Sequence, residues 1–116
     1  MSYIPRAGRA DLHIHTIASD GISTIEEVLE QATVVRNLDV IAITDHNTVE
    51  SAYEARTAAE GLPIEVIVGS EISSAHGHIL GLWLTEDVAP GMSVRDTAAA
   101  IHEQGGLALA AHPYAN

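Results

Sequence analysis

Apolar runs rich in β-branched residues alternate along this chain with segments whose apolar residues recur every three or four positions. That alternation constrains the fold more than any single motif. Residues 38–44 form a β-branched and apolar run of the kind found in strands buried on both faces. Further runs at 9–15, 64–70, 79–84 and 107–111 read as strands as well. Between them, Ile25, Val28, Leu29, Ala32 and Val35 lie on one helical stripe. Ser23, with Glu26 three residues on, predicts a capped helix start, and Asn37 its end. Asn47 or Thr48 caps a second helix reaching about Glu60, with Gly61 beyond it. Ser93 with Asp96 opens a third helix, which buries Val94, Ala98 and Ile101 and stops at Gly105-Gly106. Strands alternating with helices imply parallel strands with helices packed outside them.

Such sheets collect functional residues where strands end and loops begin. This chain puts ligand-type residues there: Thr44-Asp45-His46-Asn47, Gly69-Ser70-Glu71 and Ala111-His112-Pro113, with Gly77-His78-Ile79-Leu80 at a strand start. The first strand carries Asp11-Leu12-His13-Ile14-His15-Thr16, followed by Ser19-Asp20-Gly21. Residues two apart on a strand share a face, so His13 and His15 present paired imidazoles. Asp20 reads as a turn residue before Gly21 or as a carboxylate that its loop carries back to the same site. Asp45-His46 reads as a helix-capping pair or as part of the site. Glu71 interrupts an apolar run, where an unpaired carboxylate is costly to bury. It therefore either faces solvent at the strand end or is neutralised by cations. His76 reads as a solvated loop residue, His102 as a surface histidine near a helix C-terminus, and Trp83 as core or interface.

Composition excludes several classes. The chain has no cysteine, which rules out disulfides, thiolate zinc sites and cysteine nucleophiles. Its formal charge of −11, with five arginines and no lysine, opposes binding to duplex nucleic acid through a basic patch. Bound divalent cations would invert that sign locally, so a phosphorylated substrate is not excluded. No apolar stretch approaches membrane-spanning length, and the first ten residues lack the apolar core of a leader, which points to a cytoplasmic protein. At 116 residues the chain is one domain at most, residues 1–116.

Taken together, the four motifs resemble those of the PHP family, named for polymerases and histidinol phosphatases. The Asp-Leu-His-Ile-His-Thr…Ser-Asp-Gly stretch resembles its first motif and Thr-Asp-His-Asn its second. Glu71 with Gly77-His78-Ile79-Leu80 resembles the third, and Ala111-His112-Pro113 the fourth. The resemblance implies an α/β fold, a distorted (β/α)7 TIM-like barrel binding up to three divalent metals (zinc, manganese or iron). By the same resemblance, His13, His15 and Glu71 hold a first metal, and Glu71, His78 and His112 a second. Asp20 and His46 serve a third, while Asp11 and Asp45 orient the ligating imidazoles.

The family carries a further Asp-x-His element that this chain lacks. A full barrel of the related eight-stranded kind takes about 250 residues, so the chain corresponds to roughly the first half of one. The implied function is metal-dependent hydrolysis of a small phosphate ester or nucleotide, with His13, His15 and Glu71 activating the attacking hydroxide through the metal. The alternative is a half-barrel binding or assembly module with little activity of its own. Hydrolysis of a carbon–nitrogen bond is a third reading, opposed by the missing lysine, since related sites commonly use a metal-bridging one. Buried-type strands at an open barrel edge further predict self-association.

Overall fold

Five strands and three helices form the protein's structure, a computed structural model describing residues 8–111. Strand β1 (Ala10–Ile14) leads through a loop to helix α1 (Ile25–Glu30), then β2 (Val40–Ile43) and α2 (Glu50–Ala58). The long strand β3 (Glu65–Ser74) turns directly into β4 (Gly77–Leu82), and α3 (Val94–Glu103) precedes β5 (Leu107–Ala110). The strands follow their sequence order in one curled sheet, β1-β2-β3-β4-β5. This is the expected α/β half-barrel.

Its strands are not all parallel. Strands β1, β2 and β3 are parallel, whereas β4 runs antiparallel to both β3 and β5. Only Ala75 and His76 separate β3 from β4, and a parallel return needs a crossover of a dozen residues or more. A tight hairpin is what so short a link allows, and Gly77 supplies a φ of +121° at its exit. Strand β3 also continues through Ser74, past the expected end at Ser70, because the carboxylate of Glu71 is accommodated inside the sheet.

One face of the sheet carries the main core. Ile41, Ile43, Val66, Val68, Ile72 and Ile79 pack there with Val28, Leu29, Ala52, Ala55 and Ile101 of the helices. The opposite, concave face has a smaller apolar floor of Ala42, Ile67 and Leu82, joined by Leu12 and Val40. By strand register, Leu107 and Leu109 of β5 share that face with Leu82 and Leu80, and they are 46% and 41% exposed. Among the described residues β1 and β5 are each paired on one side only.

The helices differ from the expected pattern at their ends. Thr24 rather than Ser23 caps α1: its hydroxyl accepts from the Glu27 N–H at 3.2 Å, and the Glu27 carboxylate accepts from the Thr24 N–H at 2.9 Å. Ser23…Glu26 and Thr24…Glu27 have identical spacing, so pattern alone cannot separate them; the Ser23 carbonyl is taken by the Ile17 N–H. After Glu30 the helix widens into a π-helical segment, Gln31–Val35, in which the Arg36 N–H reaches the Gln31 carbonyl. The extra residue in that turn rotates Val35 off the expected stripe into solvent. Asn37 then ends the segment at a φ of +50°.

Helix α2 begins after Val49, whose N–H is capped by the Asp87 carboxylate at 2.8 Å, a partner no local pattern discloses. Thr48 adds a bond to the Glu50 N–H at 3.2 Å. Ser93 caps α3 as expected. Val94 is exposed, however, and Thr97 takes the inward place because its hydroxyl donates to the Ser93 carbonyl at 2.8 Å.

Candidate metal centre

Glu71 is the centre of a cluster on the concave face. It has 0% exposure, and both its oxygens meet imidazoles. Oε1 lies 2.5 Å from His13 Nε2 and 2.8 Å from His15 Nε2, while Oε2 lies 2.6 Å from His78 Nδ1 and 3.9 Å from His46 Nδ1. Asp20 closes the arrangement from the loop after β1. Its Oδ1 is 2.5 Å from His15 Nδ1 and its Oδ2 is 3.0 Å from His46 Nε2. Four imidazoles thus form a contiguous row, with ring centroids 5.0 Å (His13–His15), 4.5 Å (His15–His46) and 5.3 Å (His46–His78) apart.

Each side chain arrives by a local device. The β1–β2 register shifts between Asp11 and Ile14, and that irregularity lets both histidines of β1 reach one carboxylate oxygen while Ile14 joins the helix-side core. His46 lies just past β2 and bridges β3 at Glu71. His78 stands opposite Ser73 in the hairpin ladder. Asp20 returns because the loop folds tightly: the Gly21 N–H donates to the Thr16 carbonyl at 2.9 Å, and any Cβ at Gly21 would collide with the His15 carbonyl. A glycine is obligatory there for space rather than for φ.

The electrostatics favour ionised carboxylates. Burial pushes the Glu71 carboxyl up, but hydrogen bonds from His13 and His15, with the charges of His13 and His46, outweigh it and hold it below its usual range. Asp20 is also lowered: its desolvation, which raises it, is outweighed by hydrogen bonds with His46 and His15.

The structure brings His13, His15, Asp20, His46, Glu71 and His78 together. Their donor atoms form three overlapping groups, His13–His15–Glu71, His15–Asp20–His46 and His46–Glu71–His78. His112 lies outside the described residues. His76 is exposed in the β3–β4 turn, and His102 is exposed on α3.

The two aspartates expected to orient imidazoles have other hydrogen-bond partners among the described residues. Asp11 accepts from the backbone N–H of His13 at 3.2 Å and pairs with Arg36 at 2.8 Å, so it fixes the strand rather than a ring. Asp45 is fully buried and accepts from the Thr16 N–H and hydroxyl, both at 2.7 Å, and from the hydroxyls of Ser19 and Ser51, both at 2.5 Å. It thereby ties the Asp20-bearing loop to α2.

Sequence reasoning passed over Thr16, Ser19, Asn47 and Ser51 as functional residues. Asn47 Oδ1 accepts from the Ser73 N–H at 2.9 Å, at a φ of +57° that asparagine tolerates. Asn47 had a sequence signal, its place beside Asp45-His46. Ser51 had none, because its role exists only once α2 packs over β2.

Known proteins resemble this chain in sequence and fold. The PHP domain family model matches residues 11–115. An uncharacterised protein, MJ1587 of Methanocaldococcus jannaschii, is 40% identical over 117 residues, covering 91% of this chain and 68% of its own. The phosphoribosyl 1,2-cyclic phosphate 1,2-diphosphodiesterase of Eggerthella lenta is 39% identical over 89 residues, covering 72% of this chain but only 33% of that enzyme. Among solved structures, an amidohydrolase from Chromobacterium violaceum superposes with a TM-score of 0.62 at 31% identity, over 83% of this chain and 33% of its own.

Proposed function

Since the chain belongs to the PHP domain family, we propose that it supplies the cation-binding face of a phosphoesterase acting on a small phosphate ester or nucleotide. One observation carries this reading: a fully buried glutamate shared by imidazoles from three strand regions, at the centre of overlapping donor groups. Imidazole and carboxylate donors without sulfur fit zinc, manganese or iron. His13, His15 and Glu71 would hold one cation, Glu71 and His78 a second with His46 within reach, and Asp20 and His46 a third. When bound, such a cation polarises a phosphoryl oxygen and lowers the pKa of water.

The chain's own residues prepare for this. Glu71, held as an anion, offers two oxygens for sharing, and the row of imidazoles fixes their directions. Asp20 stands at the exposed rim, where it spans His15 and His46. A chain of net charge −11 repels phosphate, so substrate binding should follow cation loading. The E. lenta relative is by its name a phosphodiesterase, which supports the substrate class.

Hydrolysis of an aryl phosphate with added manganese tests the proposal, run on this chain, on its Glu71→Gln variant and on a longer chain extended past Asn116. Manganese-dependent turnover lost in Glu71→Gln is expected, and more of it in the longer chain. An aryl amide run in parallel separates phosphoester from carbon–nitrogen hydrolysis, the activity in the name of the Chromobacterium structure. Turnover of the amide alone would overturn the phosphoesterase reading.

A second reading, a half-barrel assembly module, draws on the half-exposed Leu107 and Leu109 and the one-sided pairing of β1 and β5. It expects self-association by light scattering and no turnover despite bound metal.

A further inference from the structure

Three non-glycine residues among those described have a left-handed φ: Asn37, Asn47 and Trp83, the last at +57°. Asparagine adopts that conformation readily, whereas a bulky side chain is strained in it. The turn itself has a clear purpose. It lets the Leu84 N–H donate to the Val68 carbonyl at 2.9 Å, with Leu82 buried on the concave face and Leu84 buried in the helix-side core. Glycine would make the same turn without strain. The position instead holds the chain's single tryptophan, and that side chain is 52% exposed. The turn explains the backbone and leaves the indole to be explained.

Trp83 lines a cavity of about 530 Å³ with Tyr53 and Arg56 of α2, Glu65 at the start of β3, and Thr85. No helix crosses between β3 and β4, so the helical layer is interrupted here. Glu65 and Glu71 are six strand residues apart, which puts this cavity about 20 Å from the histidine cluster, at the other end of the sheet. Its polar groups are arranged. The Arg56 guanidinium carbon lies 4.9 Å from the centroid of the Tyr53 ring, and the Tyr53 hydroxyl donates to the Thr85 carbonyl at 2.8 Å. Arg56 makes no ion pair among the described residues, although acidic groups outnumber basic ones sixteen to five. Its place in the last turn of α2 accounts for a cation there, but not for its stacking in a cavity beside an exposed indole.

We propose that this cavity is a second ligand site, for a nucleoside monophosphate. The Trp83 indole offers a stacking face for the base, and Arg56 meets the phosphate. A cation alone would be repelled by Arg56, and an inorganic anion alone would leave the indole face unused. A ligand with an aromatic face and an anionic end engages both.

The single tryptophan makes the test direct. Its fluorescence is followed while GMP is added in the presence of chelator, beside guanosine and inorganic phosphate. GMP should give a saturable change, with guanosine and phosphate binding about tenfold or more weakly. Arg56→Gln should weaken GMP about tenfold and leave guanosine unchanged. Trp83→Gly should keep or raise the melting temperature, because the strain is relieved, yet lose GMP binding measured by calorimetry. Glu71→Gln should leave the GMP response unchanged, so failure here is separate from failure of the metal centre. No saturable change, equal binding in Arg56→Gln, or loss of the response in Glu71→Gln would overturn the proposal.

Discussion

His46 is held beside Glu71 by its two neighbours: the Glu71 N–H donates to the Asp45 carbonyl at 3.0 Å, and the Asn47 N–H donates to the Glu71 carbonyl at 3.0 Å. The ladder between β2 and β3 therefore continues one step beyond β2, and the imidazole rides on it. The Asn47 side chain extends the clamp to Ser73. Asn47→Gly keeps the left-handed backbone and loses only the two side-chain bonds to Ser73, whereas Asn47→Ala loses those and strains the backbone. In urea unfolding the alanine variant should be less stable than the glycine variant by about 1 kcal/mol. Equal stabilities would show that the backbone conformation carries no cost at this site.

Asp45 accepts four hydrogen bonds within a fully buried pocket. An asparagine amide can accept through only one of its two ends, which leaves a buried donor facing donors. Asp45→Asn should cost about 1–3 kcal/mol, more than Ser51→Ala, which removes a single bond. Denaturant melts of the two variants decide the order.

Gly21 packs against the His15 carbonyl, and the atoms that a Cβ there would meet are all backbone. Gly21→Ala should destabilise the protein by about 1–3 kcal/mol and shift the loop that carries Asp20. Changes in the imidazole resonances of His15 and His46, with those of His102 unmoved, would report the displacement; unchanged resonances would argue against it.

Metal affinity should follow the cluster. Glu71→Gln is expected to weaken zinc or manganese binding at least about tenfold in calorimetry, as even outer ligand partners do on removal, while His102→Ala leaves it unchanged. Protein that takes up no added metal would sink the assignment of the centre.

Acid should loosen α1. Glu27 is held below its usual 4.5, first by the Thr24 N–H and then by the Thr24 hydroxyl. A lowered folded value contributes stability that is present above the unfolded pKa and is lost as pH falls through the folded one. Glu27→Gln can still complete the capping box but has no charge to lose. The stability difference between wild type and Glu27→Gln should therefore shrink as pH drops from 6 to below 4.5. A difference that does not change with pH would remove the carboxylate from the cap's account.

Much of the site was legible in sequence because its signals are local. A His-x-His on a strand, a buried-run glutamate and a histidine after a strand each declare themselves within a few residues. The supports were less visible. Asp45 stands out in the sequence, but its hydroxyl donors lie on a loop and a helix that meet only after folding. The reversed direction of β4 depends on a two-residue link, which exists only because β3 runs on through Ser74.

The sequence alone determined the order of strands and helices, the open α/β half-barrel and the residue types able to hold a cation, because periodicity and side-chain chemistry are properties of short segments. Tertiary structure decided which oxygen meets which ring, that Asp87 caps α2, and that Thr97 rather than Val94 faces inward. Those outcomes turn on hydrogen-bond partners far apart in the chain, and a buried polar atom selects its partner only among the groups that packing brings within about 3 Å.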